Sequence, residues 1–297
     1  MTRLAVLADI HGNLAALEAV QADLAQFSVD QVVVAGDVIN WGPCSAEVAA
    51  RVLEAGWAVI RGNNEFYLLD YGTPRAPAAW ADTNQWALLP WLQQQLPAPW
   101  PALIAAWPDT LSLHFRDAPP VRVVHGSPRA NNEPIFIGDA EADVAKMLAG
   151  VDESVVIAAH THLPLARHIA NGAGRRWQVL NPGSVGVPLD GRFLARYLLL
   201  EGDSSGWRPS FRTVPSDPAP VLAAFERQGF LESCGVVGEL VLEEYRRARL
   251  ELLPFVVWRQ ACCPGRPLSF DLLAEYRQID PLPYVPEQYR PAWQARC

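Results

Sequence analysis

Residues 4–14 read Leu4-Ala5-Val6-Leu7-Ala8-Asp9-Ile10-His11-Gly12-Asn13-Leu14. Five apolar residues, enough for one buried strand, run straight into two side chains of metal-ligand type and a glycine. The chain then turns helical, with Leu14, Leu17, Val20, Leu24 and Phe27 at helical spacing. A strand that delivers polar groups to the start of a helix is the opening of a βαβ unit, and the sequence repeats it. A strand over 31–35 leads to Gly36-Asp37 and a helix over 46–55, and a strand over 57–60 leads to Gly62-Asn63-Asn64-Glu65. This alternation defines an α/β fold.

Farther along, residues 64–107 are rich in Trp and Pro and read as helical in pieces, an insertion over a site, with Pro97, Pro99, Pro101 and Pro108 closing off its last helix. Strands resume at 110–115 and 121–125, followed by a helix over 140–148 and a strand over 155–158. Strands over 165–169, 177–180, 193–200 and 207–214 then pair as hairpins, with Asn171-Gly172 and Ser205-Gly206 as turns. After Pro215 the pattern becomes helical: Asp217-Pro218 opens a helix, 239–253 is strongly amphipathic, and 281–293 is rich in Pro and aromatic residues. The chain therefore divides into a catalytic unit, 1–215, and a helical C-terminal extension, 216–297, that packs on the core or at an oligomer interface.

Composition bounds the function. With 297 residues, half of them hydrophobic, the chain can bury a large core. Its formal charge of -8 removes the basic footprint that non-specific nucleic-acid binding requires. Five scattered cysteines (Cys44, Cys234, the vicinal Cys262-Cys263, and Cys297) do not form an even disulfide framework and fit reduced thiols, the vicinal pair as buried ones. No signal-peptide region or membrane-spanning run is present, so the expectation is a cytoplasmic protein, with a homo-oligomer left open.

The chemistry lies at the strand ends. Asp9 and His11, Asp37, Asn63, His125, and the pair His160 and His162 each follow an apolar run directly, and they include four of the chain's six histidines. In an open α/β sheet the carboxyl ends of the strands meet in one crevice. Oxygen and imidazole donors without thiolate suit Mn, Fe, Co, Ni or Zn. This donor set exceeds what one tetrahedral ion needs, and a carboxylate such as Asp37 can bridge. Two divalent ions follow, an arrangement that serves in-line displacement at phosphorus by a water bridging the metals.

Asp9-x-His11, Gly36-Asp37, Gly62-Asn63-x-Glu65, His125-Gly126 and His160-x-His162, in this order, resemble the motif set of the calcineurin-like metallophosphoesterases. Asp9 to Leu14 and Asn181-Pro182-Gly183-Ser184-Val185-Gly186 are similar to the small bacterial and archaeal phosphodiesterase branch in particular. The resemblance covers about residues 1–215. It implies two mixed β-sheets packed face to face with helices outside, a four-layer α/β/β/α sandwich. It further implies one ion on Asp9, His11 and His162, a second on Asn63, His125 and His160, and Asp37 as the bridge.

Two positions depart from that pattern. Ala159 stands where a glycine is usual before His-x-His, which only tightens the turn. Asn64 stands where many members carry a histidine that assists the leaving group. An amide supplies no proton at neutral pH but can hydrogen-bond a phosphoryl oxygen, so Asn64 joins Asp37 as a catalytic candidate and is also a substrate contact. Arg129 and Trp41 are the other expected substrate contacts, Trp41 by offering an aromatic face. His114 is a weak candidate acid that reads better as an ordinary strand residue. The missing histidine favours a phosphodiesterase acting on nucleotide-type or small phosphodiesters. The alternatives are a phosphomonoesterase or nucleotidase, a catalytically decayed scaffold resembling a subunit of an endosomal sorting coat, and an amidohydrolase-type metal hydrolase. The scaffold reading conflicts with a complete ligand set, and the amidohydrolase reading with Asp-x-His after the first strand.

Overall fold

In the computed structural model, which describes residues 1–294, ten strands form two five-stranded mixed sheets. The strands are β1 (Thr2–Leu7), β2 (Gln31–Val34), β3 (Ala58–Val59), β4 (Leu111–Leu113), β5 (Val121–Val124), β6 (Val155–Ala158), β7 (Leu165–Ala170), β8 (Arg176–Asn181), β9 (Leu194–Asp203) and β10 (Gly206–Pro215). The first sheet has the order β10-β9-β1-β2-β3 and the second β4-β5-β6-β8-β7. In the first, parallel β1, β2 and β3 reach one edge and an antiparallel β9–β10 hairpin adds to the other side; in the second, parallel β5, β6 and β8 are flanked by antiparallel β4 and β7. The expected turns close the β7–β8 and β9–β10 hairpins.

The period of two along β1 separates the layers. Leu4, Val6 and Ala8 join Val33 and Ile60 against Val121, Val123 and Ile157 of the second sheet, forming the dry seam between sheets. Ala5 and Leu7 face the other way, onto Leu17 and Val20 of α1 (Leu14–Leu24) and Val48 and Val52 of α2 (Ser45–Glu54). The outer face of the second sheet packs on Val144 of α6 (Glu141–Met147). This is the four-layer α/β/β/α sandwich that the motif set implied.

The insertion holds α3 (Asn63–Asp70), α4 (Leu88–Gln95) and α5 (Trp100–Ala105). Of the four prolines only Pro108 follows the last helix as expected: α5 begins among the others, with Pro101 in its first turn, where a missing N–H costs nothing. After β10 come α7 (Ala219–Arg227), α8 (Phe230–Arg247), α9 (Leu252–Cys262), α10 (Phe270–Tyr276) and α11 (Arg290–Gln294). The expected single helix over 239–253 is also corrected. Helix α8 starts earlier, kinks at Gly235 (φ 52°), and stops before Ala248, which is left-handed (φ 51°). Phe225, Phe230, Val237 and Tyr245 of these helices share a core with Leu88, Trp91, Val187 and Leu189, so the extension is seated on the insertion and on the loop after β8. Cys44, Cys234, Cys262 and Cys263 are free thiols, but Cys262 is exposed rather than buried, and Cys297 lies outside the described residues. No helix among the described residues is long and apolar enough to cross a membrane.

Candidate metal centre

Every residue expected to bind metal lies just beyond the carboxyl end of a parallel strand. Asp9 and His11 follow β1, Asp37 follows β2 and Asn63 follows β3, all in the first sheet; His125 follows β5, and His160 and His162 follow β6, in the second. Two clusters result, Asp9–His11–His162 and Asp37–His125–His160, with the ligand atoms of each within 4.8 Å of one another. His125 Nε2 lies 3.2 Å from both Asp37 Oδ2 and Asn63 Oδ1. Asp37 Oδ2 is also 3.6 Å from His11 Nε2, which places Asp37 between the clusters.

The backbone is bent to achieve this. Asp9, His11, Asp37, Asn40, Trp41, His160 and His162 all have positive φ, between 49° and 69°, and Ala248 is the only other non-glycine residue with positive φ among the described residues. Such conformations are unfavourable for side chains with a Cβ and persist where surrounding contacts over-determine them. Buried Glu65 supplies part of that constraint: its carboxylate accepts from the backbone N–H groups of Asp37, Val38, Ile39 and Gly62. The Asn181–Gly186 loop supplies more. Ser184 Oγ donates to the Asp9 carbonyl at 2.8 Å, and Asn181 Nδ2 donates to the Ala159 carbonyl and the Thr161 hydroxyl. Two glycines are required on steric grounds: a Cβ at Gly62 would lie 2.2 Å from Asp37 Oδ1, and one at Gly36 (φ 89°) would lie 2.6 Å from His125 Nδ1.

The electrostatics are those of a cation site. Burial pushes His11 down to about 3, and His160 and His162 to about 4, keeping these imidazoles neutral with lone pairs available. Burial also opposes charge on His125, but the adjacent Asp37 carboxylate outweighs it and holds that ring up at about 10. His162 Nδ1 faces the Val187 carbonyl at 2.6 Å and His125 Nδ1 the Ala35 carbonyl at 2.7 Å. If Nδ1 donates there, Nε2 is left as the ligand atom, the usual arrangement behind a metal-bound histidine. Both carboxylate oxygens of Asp9 and Nδ1 of His11 are buried without any hydrogen-bond partner. Burial pushes the Asp9 carboxyl well above its ordinary range, a penalty on the charged form that a bound cation would remove. The donors present therefore fit two divalent ions.

The other expected residues sort as follows. Asn64 is buried beside the centre: its Nδ2 donates to Asp37 Oδ2 at 2.6 Å and its Oδ1 accepts from Asn40 Nδ2 at 2.7 Å, so one amide N–H remains for a ligand. Trp41 lines the cavity above the centre, its ring centroid 6.0 Å from that of His11. Arg129 is not brought in. Its guanidinium is ion-paired with Glu133, four residues on, the side chain is 52% exposed, and it does not line the cavity. His114 is an exposed strand-end residue facing Ser112.

The sequence reading missed what the extension contributes. Tyr245 Oη donates to the His11 carbonyl at 3.2 Å, Tyr289 Oη to the Thr161 carbonyl at 3.0 Å, and Glu244 accepts from Trp41 Nε1 at 2.7 Å. One signal was present: Glu244 falls on the apolar stripe of α8, in register with Val237 and Val241, where a carboxylate needs partners. Together the insertion and the extension roof a cavity of about 460 Å³, floored by His11, Asp37, Asn63, Asn64, His160 and His162.

A family model described as the calcineurin-like phosphoesterase superfamily domain matches residues 2–205. The chain belongs to this superfamily. A metallophosphoesterase from Sphaerobacter thermophilus superposes on 83% of this phosphoesterase and 100% of its own chain, at 26% identity and a TM-score of 0.63. A hypothetical protein from Pyrococcus horikoshii OT3 does so over 84% and 100%, at 20% identity and a TM-score of 0.68. Both alignments are longer than the family-matched stretch, so the likeness continues past residue 205. Among curated proteins none is significantly similar in sequence.

Proposed function

We propose that this phosphoesterase is a cytoplasmic phosphodiesterase that works with two divalent ions, Mn or Fe being favoured, one held by Asp9, His11 and His162, the other by Asn63, His125 and His160, with Asp37 between them. The observation that carries this reading is the pair of convergent ligand clusters with the unpartnered Asp9 carboxylate in their midst. Two such ions supply positive charge for the phosphoryl oxygens and an acidified water. Residues 1–215 form the catalytic unit, and the helices that follow, up to residue 294, close it.

The preference for diesters rests on position 64. The remaining N–H of Asn64 can hold a phosphoryl oxygen, but the amide has no proton to give to a departing alkoxide. Glu244 does not take over that role. Burial pushes its carboxyl up to about 7, but its oxygens accept from Trp41 Nε1 and from the backbone N–H groups of Glu251 and Leu252, which oppose protonation. A site without a strong acid favours substrates whose leaving group departs as a stable anion.

The test is hydrolysis of bis(4-nitrophenyl) phosphate and 4-nitrophenyl phosphate by protein stripped of metal and reloaded with Mn. Faster turnover of the diester, lost on chelation and restored by Mn, is expected. No bound metal and no turnover of either ester would sink the proposal; faster turnover of the monoester would favour the phosphomonoesterase alternative.

A further inference from the structure

We infer that the substrate of this site is an amphiphilic phosphodiester, its phosphate on the metal floor and a hydrocarbon chain on one arm filling the cavity under the extension. The inference deepens the phosphodiesterase reading and rests on it.

The cavity is continuous with the floor of metal ligands, so one arm of a diester whose phosphate is held there can fill it. Its walls are aliphatic and aromatic: Leu88 and Leu89 from the insertion, Val237, Leu252, Phe255 and Val256 from the extension. Several of the polar side chains in the same walls are engaged within the protein. Glu244 is held by Trp41 and two backbone N–H groups, Tyr289 by the Thr161 carbonyl, and Gln85 by Arg259 at 3.0 Å. Arg259 also donates to the Arg266 carbonyl.

A nucleobase brings several donors and acceptors on its edge, and in such a cavity most of them would lose water without gaining a partner, which costs affinity. The Trp41 indole N–H, the obvious group to read a base, is taken by Glu244. A hydrocarbon chain has no such groups, and each methylene moved from water into an apolar wall tightens binding by up to about fourfold. Beyond His11 Nδ1 and Asn40 Oδ1 on the metal side, Trp86 Nε1 is the cavity-lining polar atom buried without a partner among the described residues, which suits a single acceptor such as an ester or ether oxygen.

The reaction is ordinary hydrolysis. Water oxygen bonds to phosphorus, the bond from phosphorus to the departing oxygen breaks, and that oxygen leaves with its electron pair, one proton of the water being released.

The test uses methyl, butyl, octyl and dodecyl 4-nitrophenyl phosphates below their micelle concentrations. All share one leaving group and differ only in the chain. With Mn-loaded enzyme, kcat/KM should rise by about twofold or more per methylene from methyl to octyl, chiefly through KM. In Val256→Trp, which fills the cavity, and in Leu253→Asp, which places a charge on a wall residue that is 42% exposed and so compatible with folding, the octyl-to-methyl ratio should fall at least tenfold. Thymidine 5′-(4-nitrophenyl phosphate) is the nucleotide arm.

A flat series in the wild type, an unchanged ratio in both variants, or a nucleotide ester preferred to the octyl ester would each overturn the inference. Binding of n-alkylphosphonates, ethyl to octyl, is followed by calorimetry in parallel and needs no turnover. If bis(4-nitrophenyl) phosphate is not hydrolysed, the phosphodiesterase reading fails alone, and the alkylphosphonate series still decides the cavity: tighter binding with each added methylene supports it, and a constant Kd rejects it.

Discussion

Trp41 and Glu244 lie 203 positions apart in the chain and are joined by a 2.7 Å hydrogen bond from the indole N–H to the carboxylate. Trp41 belongs to the strained loop after β2 and Glu244 to α8, so the bond fastens the extension to the ligand-bearing turns. Replacing the carboxylate by an amide can leave an N–H facing the indole N–H. We expect Glu244→Gln to raise KM about tenfold, with a smaller change in kcat, and to red-shift the tryptophan emission as the ring gains water. An unchanged KM and spectrum would mean that the bond does not set the position of Trp41.

Asp37 touches both clusters through one oxygen. Asp37→Asn keeps the shape but removes the charge that two cations would share in the proposed centre. Because metal-based charge stabilisation is worth several kcal/mol, a loss on the order of 10³-fold in kcat is expected, together with a drop in bound metal from two ions toward one by elemental analysis. Full metal content with wild-type kcat would remove Asp37 from its bridging place.

Asn64 sits where a proton donor is useful, and Asn40 can orient an acceptor nitrogen there as it now orients the amide oxygen. A general acid is worth ~10²–10⁴ in rate, most for poor leaving groups. Asn64→His should therefore raise the ratio of monoester to diester turnover at pH 6–7 by at least tenfold, measured with phenyl phosphate against bis(4-nitrophenyl) phosphate. An unchanged ratio would count against the role given to this position.

Away from the site, Arg212 holds Asp23, with help from the Tyr197 hydroxyl, and the Asp23 carboxyl is lowered below its usual range, chiefly by the Arg212 hydrogen bonds. A depressed folded-state value means that the contribution to stability is present above the unfolded value of about 4 and is lost as pH falls through the lower, folded one. Asp23→Asn should cost about 1 kcal/mol at pH 7, and urea midpoints of the two proteins should converge as the pH drops below about 4. A constant gap at all pH values would assign the loss to packing instead.

Much of the centre was legible because its grammar is local. A short apolar run followed at once by Asp-x-His, Gly-Asp or His-x-His is visible in a dozen residues, and the sheet topology then brings the runs together without further information. The task of Glu65 was not legible, because three of its four N–H partners belong to the turn after β2, which meets the start of α3 only once the chain is folded. Tyr245 and Tyr289 were invisible for a stronger reason, their partners lying more than a hundred residues away, and Glu244 showed only as a carboxylate on an apolar stripe, with nothing local to point to Trp41. Arg129 erred in the opposite direction. It is near the His125 motif in sequence, but Glu133, four residues on, claims its guanidinium.

Each ligand cluster takes donors from both sheets: Asp9 and His11 with His162, Asp37 with His125 and His160. A cation bound to either set thus rivets the two halves of the sandwich across their seam, and neither half alone can assemble it. Occupancy then counts directly toward keeping the chain folded, by about 2.7 kcal/mol when free ion stands at a hundred times its dissociation constant. The melting temperature, and with it the chain's survival against proteases, is expected to follow divalent-ion supply.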